Sequence, residues 1–124
     1  MDKKRILVVD DEKDWVSLIS TRLQHEGYHV DVAFDPIEGM AQAIKLVPDL
    51  ILLDIMMPGG GGISMLKSVR NSSKTFNIPI IVVTAKSDQE TQEEAEKLGV
   101  SAYFYKPLDT AKLMEKIKEV LQDK

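Results

Sequence analysis

Two short apolar runs, each delivering an acid at its end, constrain this chain more than anything else in it. Arg5-Ile6-Leu7-Val8-Val9 leads into Asp10-Asp11, and Leu50-Ile51-Leu52-Leu53 leads into Asp54. Continuous branched apolar runs of this length describe strands buried on both faces, as in a parallel sheet covered by helices. The acids then emerge at the carboxyl edge of one sheet, where open α/β folds gather their ligands.

The rest of the chain supplies matching units. Trp15, Leu18, Ile19 and Leu23 recur at helical spacing up to Gly27, which predicts an amphipathic helix closed by a left-handed glycine. His29-Val30-Asp31-Val32-Ala33 alternates polar and apolar, the pattern of an edge strand. Asp35, Pro36 and Glu38 form a helix start with a capping box, placing Met40, Ala41 and Ile44 inward until Pro48 ends the helix. After Asp54, a glycine run from Gly59 to Gly62 predicts a mobile loop, followed by a helix with Ile63, Leu66 and Val69 on one stripe. Pro79 to Val83 is a buried strand ending at Thr84, and Ser87 with Glu90 predicts a capped helix closed by Gly99. Ala102-Tyr103-Phe104-Tyr105 then meets Lys106-Pro107, and Asp109 caps a last helix carrying Leu113, Ile117, Val120 and Leu121.

Strand and helix therefore alternate five times. Right-handed crossovers make this a doubly wound α/β fold, a five-stranded parallel sheet with five helices. With the second strand at an edge, the flavodoxin-like order 2-1-3-4-5 follows, and it brings Asp10, Asp11 and Asp54 to the switch point. A length of 124 residues with 44% hydrophobic content fits one domain spanning 1–124. The chain has no cysteine and no apolar run long enough for a membrane span, so a cytoplasmic location and no membrane partner are expected. A net charge of −4 argues against direct binding of nucleic acid.

Three carboxylates within about 5 Å of one another repel by roughly 3 kcal/mol per pair at an effective dielectric near 20. A hard divalent cation such as Mg²⁺ offsets this, and without one an acid should titrate upward. Thr84 and Lys106 reach the same edge with a hydroxyl and a cation, a set suited to phosphoryl transfer onto a carboxylate. A lone strand-end aspartate is often only a helix cap, a threonine a strand former and a lysine a solvated loop charge; their shared edge is what raises them. Trp15 reads as a helix-face anchor near the mouth of the site, and His25 and His29 as surface residues. The glycine run lacks the Gly-Lys-Ser/Thr ending of a nucleotide-binding loop.

Asp10-Asp11, Asp54 with Met56-Met57-Pro58, Thr84-Ala85, and Tyr103 with Lys106-Pro107 together resemble the receiver domain of two-component response regulators, over the whole chain. The resemblance implies that Asp54 is the phospho-acceptor and that Mg²⁺ is held by Asp10, Asp11, Asp54 and the backbone carbonyl of Met56. It implies that Lys106 and Thr84 serve phosphoryl transfer, that Thr84 swings toward the new phosphoryl oxygens, and that Tyr103 turns with it as the switch aromatic. It also implies a cis bond before Pro107. The phosphoryl donor would be a sensor histidine kinase or phosphotransfer protein. A downstream protein would read the face of helix four, strand five and helix five, in keeping with the polarity of helix four. In the family, the positions of Met56 and Lys86 tune phosphoryl lifetime; with neither an acid nor an amide there, slow self-dephosphorylation is expected. No helix-turn-helix is legible after Leu121, so no output domain is expected in these residues, and the chain is either a stand-alone regulator or a fragment of a longer protein. The alternative is a Mg²⁺-dependent aspartyl-nucleophile phosphohydrolase, although the Asp-x-Asp signature of such enzymes is absent from Asp10-Asp11-Glu12.

Overall fold

The computed structural model describes residues 3–57, 61–85 and 87–122. Strands β1 (Arg5–Val9), β2 (His29–Ala33), β3 (Leu50–Leu53), β4 (Ile80–Thr84) and β5 (Ala102–Tyr105) alternate with helices α1 (Lys13–His25), α2 (Pro36–Leu46), α3 (Gly61–Asn71), α4 (Gln89–Lys97) and α5 (Thr110–Gln122). The strands pair in parallel in the order β2-β1-β3-β4-β5, so the predicted topology holds and β2 is an edge. Alternate strand residues feed two cores. Leu7, Val9, Ile51, Leu53, Ile80 and Val82 pack beneath α2, α3 and α4, whereas Ile6, Val8, Leu50, Leu52, Ile81 and Val83 pack beneath α1 and α5.

Several local expectations need correction. In α1 the buried stripe is Val16, Ile19 and Leu23, and Leu18 is 58% exposed on the flank. In α2 the inward residues are Gly39 and Ala43, with Met40 half-buried, while Ala41 and Ile44 are exposed. Close approach explains this: a Cβ on Gly39 would meet Val9 Cγ1 and Met65 Sδ, both at 2.9 Å. Small residues therefore set the α2–sheet distance, and larger ones move to the rim. The Asp35 side chain caps α2 through the Glu38 N–H at 2.8 Å, but Glu38 reaches back to the N–H of Phe34 rather than to the cap residue. The cap of α4 is Asp88, which accepts from the Thr91 N–H at 2.8 Å; Ser87 is engaged elsewhere.

The glycine run divides in two. Gly59 and Gly60, with Pro58, lie outside the described residues, as does Lys86. Gly61 and Gly62, expected in a loop, form the first turn of α3. A Cβ on Gly62 would press on the Ile55 backbone and lie 2.7 Å from the Asp54 carbonyl oxygen, and one on Gly61 would press on Pro36. Absence of side chains here lets α3 start directly against the end of β3. Gly27 and Gly99 take φ values of +96° and +83°, as left-handed helix closures require, and the Lys106–Pro107 bond is cis.

Candidate functional site

Ladder hydrogen bonds carry each strand one residue past its end and aim the acids. The Asp10 N–H donates to the Ala33 carbonyl at 3.1 Å and the Asp54 N–H to the Val9 carbonyl at 3.0 Å. Carboxylate oxygens of Asp10, Asp11 and Asp54 all lie within 4.8 Å of one another, so the predicted convergence holds. Asp10 and Asp54 are buried and Asp11 is exposed, which makes a cleft with one wet wall.

Partners divide the oxygens of Asp54. Its Oδ1 accepts from the Thr84 hydroxyl at 2.5 Å and the Met56 N–H at 2.9 Å. Its Oδ2 has no hydrogen bond among the described residues, and Lys106 Nζ stands 3.7 Å away. Thr84, fully buried at the end of β4, thus reaches the Asp54 carboxylate directly. Its Oγ1 also accepts from the Met56 N–H at 3.2 Å. Met56 has an exposed side chain, whereas Met57 is buried in the core.

Lys106 enters from the end of β5, its N–H donating to the Thr84 carbonyl at 2.8 Å. Its ammonium donates to Asp10 Oδ2 at 2.8 Å and to Glu12 Oε1 at 2.7 Å, and sits 5.5 Å from the Trp15 ring centroid. Burial pulls its pKa down, but the hydrogen bonds to Asp10 and Glu12 outweigh this and leave it raised. Burial pushes Asp10 up to about 6, opposed by hydrogen bonds from Lys106 and the Glu12 N–H and assisted by the charge of Asp54. The direction is the one expected from the sequence, but burial is the main cause and crowding by Asp54 a smaller one.

Tyr103 is half-buried against the core beneath α2, α3 and α4, and its hydroxyl shares a 2.8 Å hydrogen bond with Ser87 Oγ. Its ring meets Tyr105 edge to face at 5.3 Å, and the Tyr105 hydroxyl bonds to Gln92 of α4. Glu12, Trp15 and Ser87 are the residues of this region whose contacts sequence reasoning missed. The signals were thin: Glu12 extends the Asp10-Asp11 acid run, Trp15 stands one helical turn later, and Ser87 lies three residues after Thr84. His25 and His29 are exposed, as expected.

No helix among the described residues is long and apolar enough to cross a membrane. The chain is 36% identical over 118 residues to the response regulator ArlR of Staphylococcus saprophyticus, covering 95% of this chain and 52% of that protein. It is 33% identical to the DNA-binding dual master transcriptional regulator RpaA of Synechocystis, covering 95% of this chain and 49% of that one. The chain therefore spans about half the length of these curated relatives, and a DNA-binding protein among them leaves the charge-based exclusion of nucleic acid without support. A solved CheY-like receiver domain from Methanospirillum hungatei has a TM-score of 0.91 at 32% identity, covering 98% of this chain and 96% of that one. The family model for the response regulator receiver domain matches residues 6–118, and the hydrolase alternative is not favoured. With the acids, hydroxyl and lysine at one edge of a 2-1-3-4-5 sheet, that match settles the assignment: the chain belongs to the response regulator receiver domain family.

Proposed function

We propose that the chain accepts a phosphoryl group on Asp54 from a phosphohistidine of a sensor histidine kinase or phosphotransfer protein. The observation that carries this reading is the division of the Asp54 carboxylate. Oδ1 is held by Thr84 and Met56, and Oδ2 has no hydrogen bond among the described residues. Oδ2 attacks phosphorus in line; an O–P bond forms as the P–N bond breaks, and its electron pair returns to the ring nitrogen. With its other nitrogen protonated, the donor ring leaves as neutral imidazole. Lys106, 3.7 Å from Oδ2, is close enough to neutralise charge on the transferring group. Thr84 can pass its hydroxyl from the carboxylate to a phosphoryl oxygen.

The donor set fits a hard cation: oxygens only, three carboxylates within 4.8 Å, and an Asp10 pKa pushed up chiefly by burial and further by the charge of Asp54. Asp10, Asp11, Asp54 and the Met56 carbonyl would hold Mg²⁺, which supplies charge neutralisation when bound. Exchange of a carboxylate for a dianionic acyl phosphate changes the load on Thr84, and Tyr103 relays it to the face of α4, β5 and α5, where an unidentified downstream protein binds. The residues of 1–124 act as one receiver unit in the cytoplasm, catalysing only their own phosphorylation and dephosphorylation. Incubation with acetyl phosphate and Mg²⁺ tests the reading by intact mass. A single phosphoryl adduct on the wild type and none on Asp54→Asn is expected; an adduct that survives in the variant contradicts the assignment.

A further inference from the structure

We propose that Glu12 is a positioning residue of the phosphoryl site, holding the Lys106 ammonium out of hydrogen-bond reach of Asp54 Oδ2 and so opposing arrival of the phosphoryl group; this rests on the acceptor reading of Asp54. An ammonium has three donors. In this structure two are committed, to Glu12 at 2.7 Å and to Asp10 at 2.8 Å, while Asp54 Oδ2 at 3.7 Å lies beyond hydrogen-bond reach. The two committed partners are unlike. Asp10 is buried at the floor of the cleft, but the Glu12 side chain is 63% exposed and pulls from outside. The Trp15 ring, 5.5 Å away, lines the same outer position.

The Glu12 carboxylate does not cap its own helix. Glu12 is the N-cap of α1, a position where a side chain ordinarily accepts a backbone N–H, and it makes no such bond. Its substitution therefore removes no cap. Phosphoryl oxygens arriving on Oδ2 compete with Glu12 for Lys106 and meet its negative charge at the rim.

The reaction with acetyl phosphate isolates the effect. Asp54 Oδ2 forms an O–P bond, the P–O bond to the acetyl group breaks, and acetate leaves with the electron pair. At saturating Mg²⁺ and about 0.05 M salt, Glu12→Gln should gain the adduct roughly threefold faster than wild type. The ratio should fall towards one near 0.5 M salt, because an exposed charge is screened. In a Lys106→Met background the same substitution should give no acceleration, since Glu12 acts through the lysine. Equal or slower phosphorylation of Glu12→Gln, or undiminished acceleration without Lys106, overturns the role of Glu12 alone. Failure of the wild type to take up any phosphoryl group overturns the acceptor reading and this inference with it.

Discussion

At the scale of single residues, Asp10 is the group most sensitive to its surroundings. Folding raises its pKa from 3.8 to about 6, chiefly through burial, so the folded chain binds more protons than the unfolded one between those values. The resulting stabilisation is fully present below pH 3.8 and is lost as pH rises through about 6. In metal-free buffer, Asp10→Asn should therefore unfold at a higher temperature than wild type above pH 6, with the difference shrinking towards pH 4. Lys106 also bonds Glu12, a contact that does not involve Asp10. Added Mg²⁺ should raise the unfolding temperature of the wild type and do little for the variant. A difference independent of pH would show that Asp10 is not the strained acid.

At the scale of elements, the start of α3 and the start of α4 bear on the site in different ways. Gly62 lies against the Ile55 backbone and the Asp54 carbonyl, where nothing can yield without moving the acceptor strand end. Gly62→Ala should cost about 2 kcal/mol in denaturant unfolding and also slow phosphorylation of Asp54. Loss of stability at an unchanged rate would mean that the strand end does not shift. Helix α4 buries only Ala95 and is otherwise tied by polar contacts. Arg70 donates to the carbonyls of Leu98 at 2.7 Å and Gly99 at 2.9 Å, and Lys67 pairs with Glu94 at 2.9 Å. Burial lowers the Arg70 pKa, as expected for a guanidinium bonded to carbonyls in place of water. At its other end, Asp88→Ala should cost about 1 kcal/mol through loss of the cap. Ser87→Ala should leave the cap intact and change the environment of the Tyr103 ring, seen in its proton chemical shifts. The reverse pattern would return the cap to Ser87.

At the scale of the whole molecule, the strand order and the meeting of Asp10, Asp11 and Asp54 were legible because buried parallel strands leave a continuous apolar signature. Lys106 and Thr84 followed, since topology alone places strand ends at one edge. What was not legible depends on distances between elements. Periodicity cannot show that Gly39 brings α2 onto Val9, so Ile44 read as core; nor can it show that Gly62 must be bare for α3 to reach Ile55, so a helix start read as a loop. The Lys106 contacts with Glu12 and Trp15 cross from β5 to α1, a separation no local pattern encodes.

The proposed chemistry turns one carboxylate at this edge of the sheet, Asp54, into an acyl phosphate. Borohydride reduces an aspartyl phosphate to homoserine, which peptide mass spectrometry locates in the chain. After treatment with acetyl phosphate and Mg²⁺, homoserine is predicted at position 54 alone; homoserine at position 10 or 11, or none anywhere, contradicts the account.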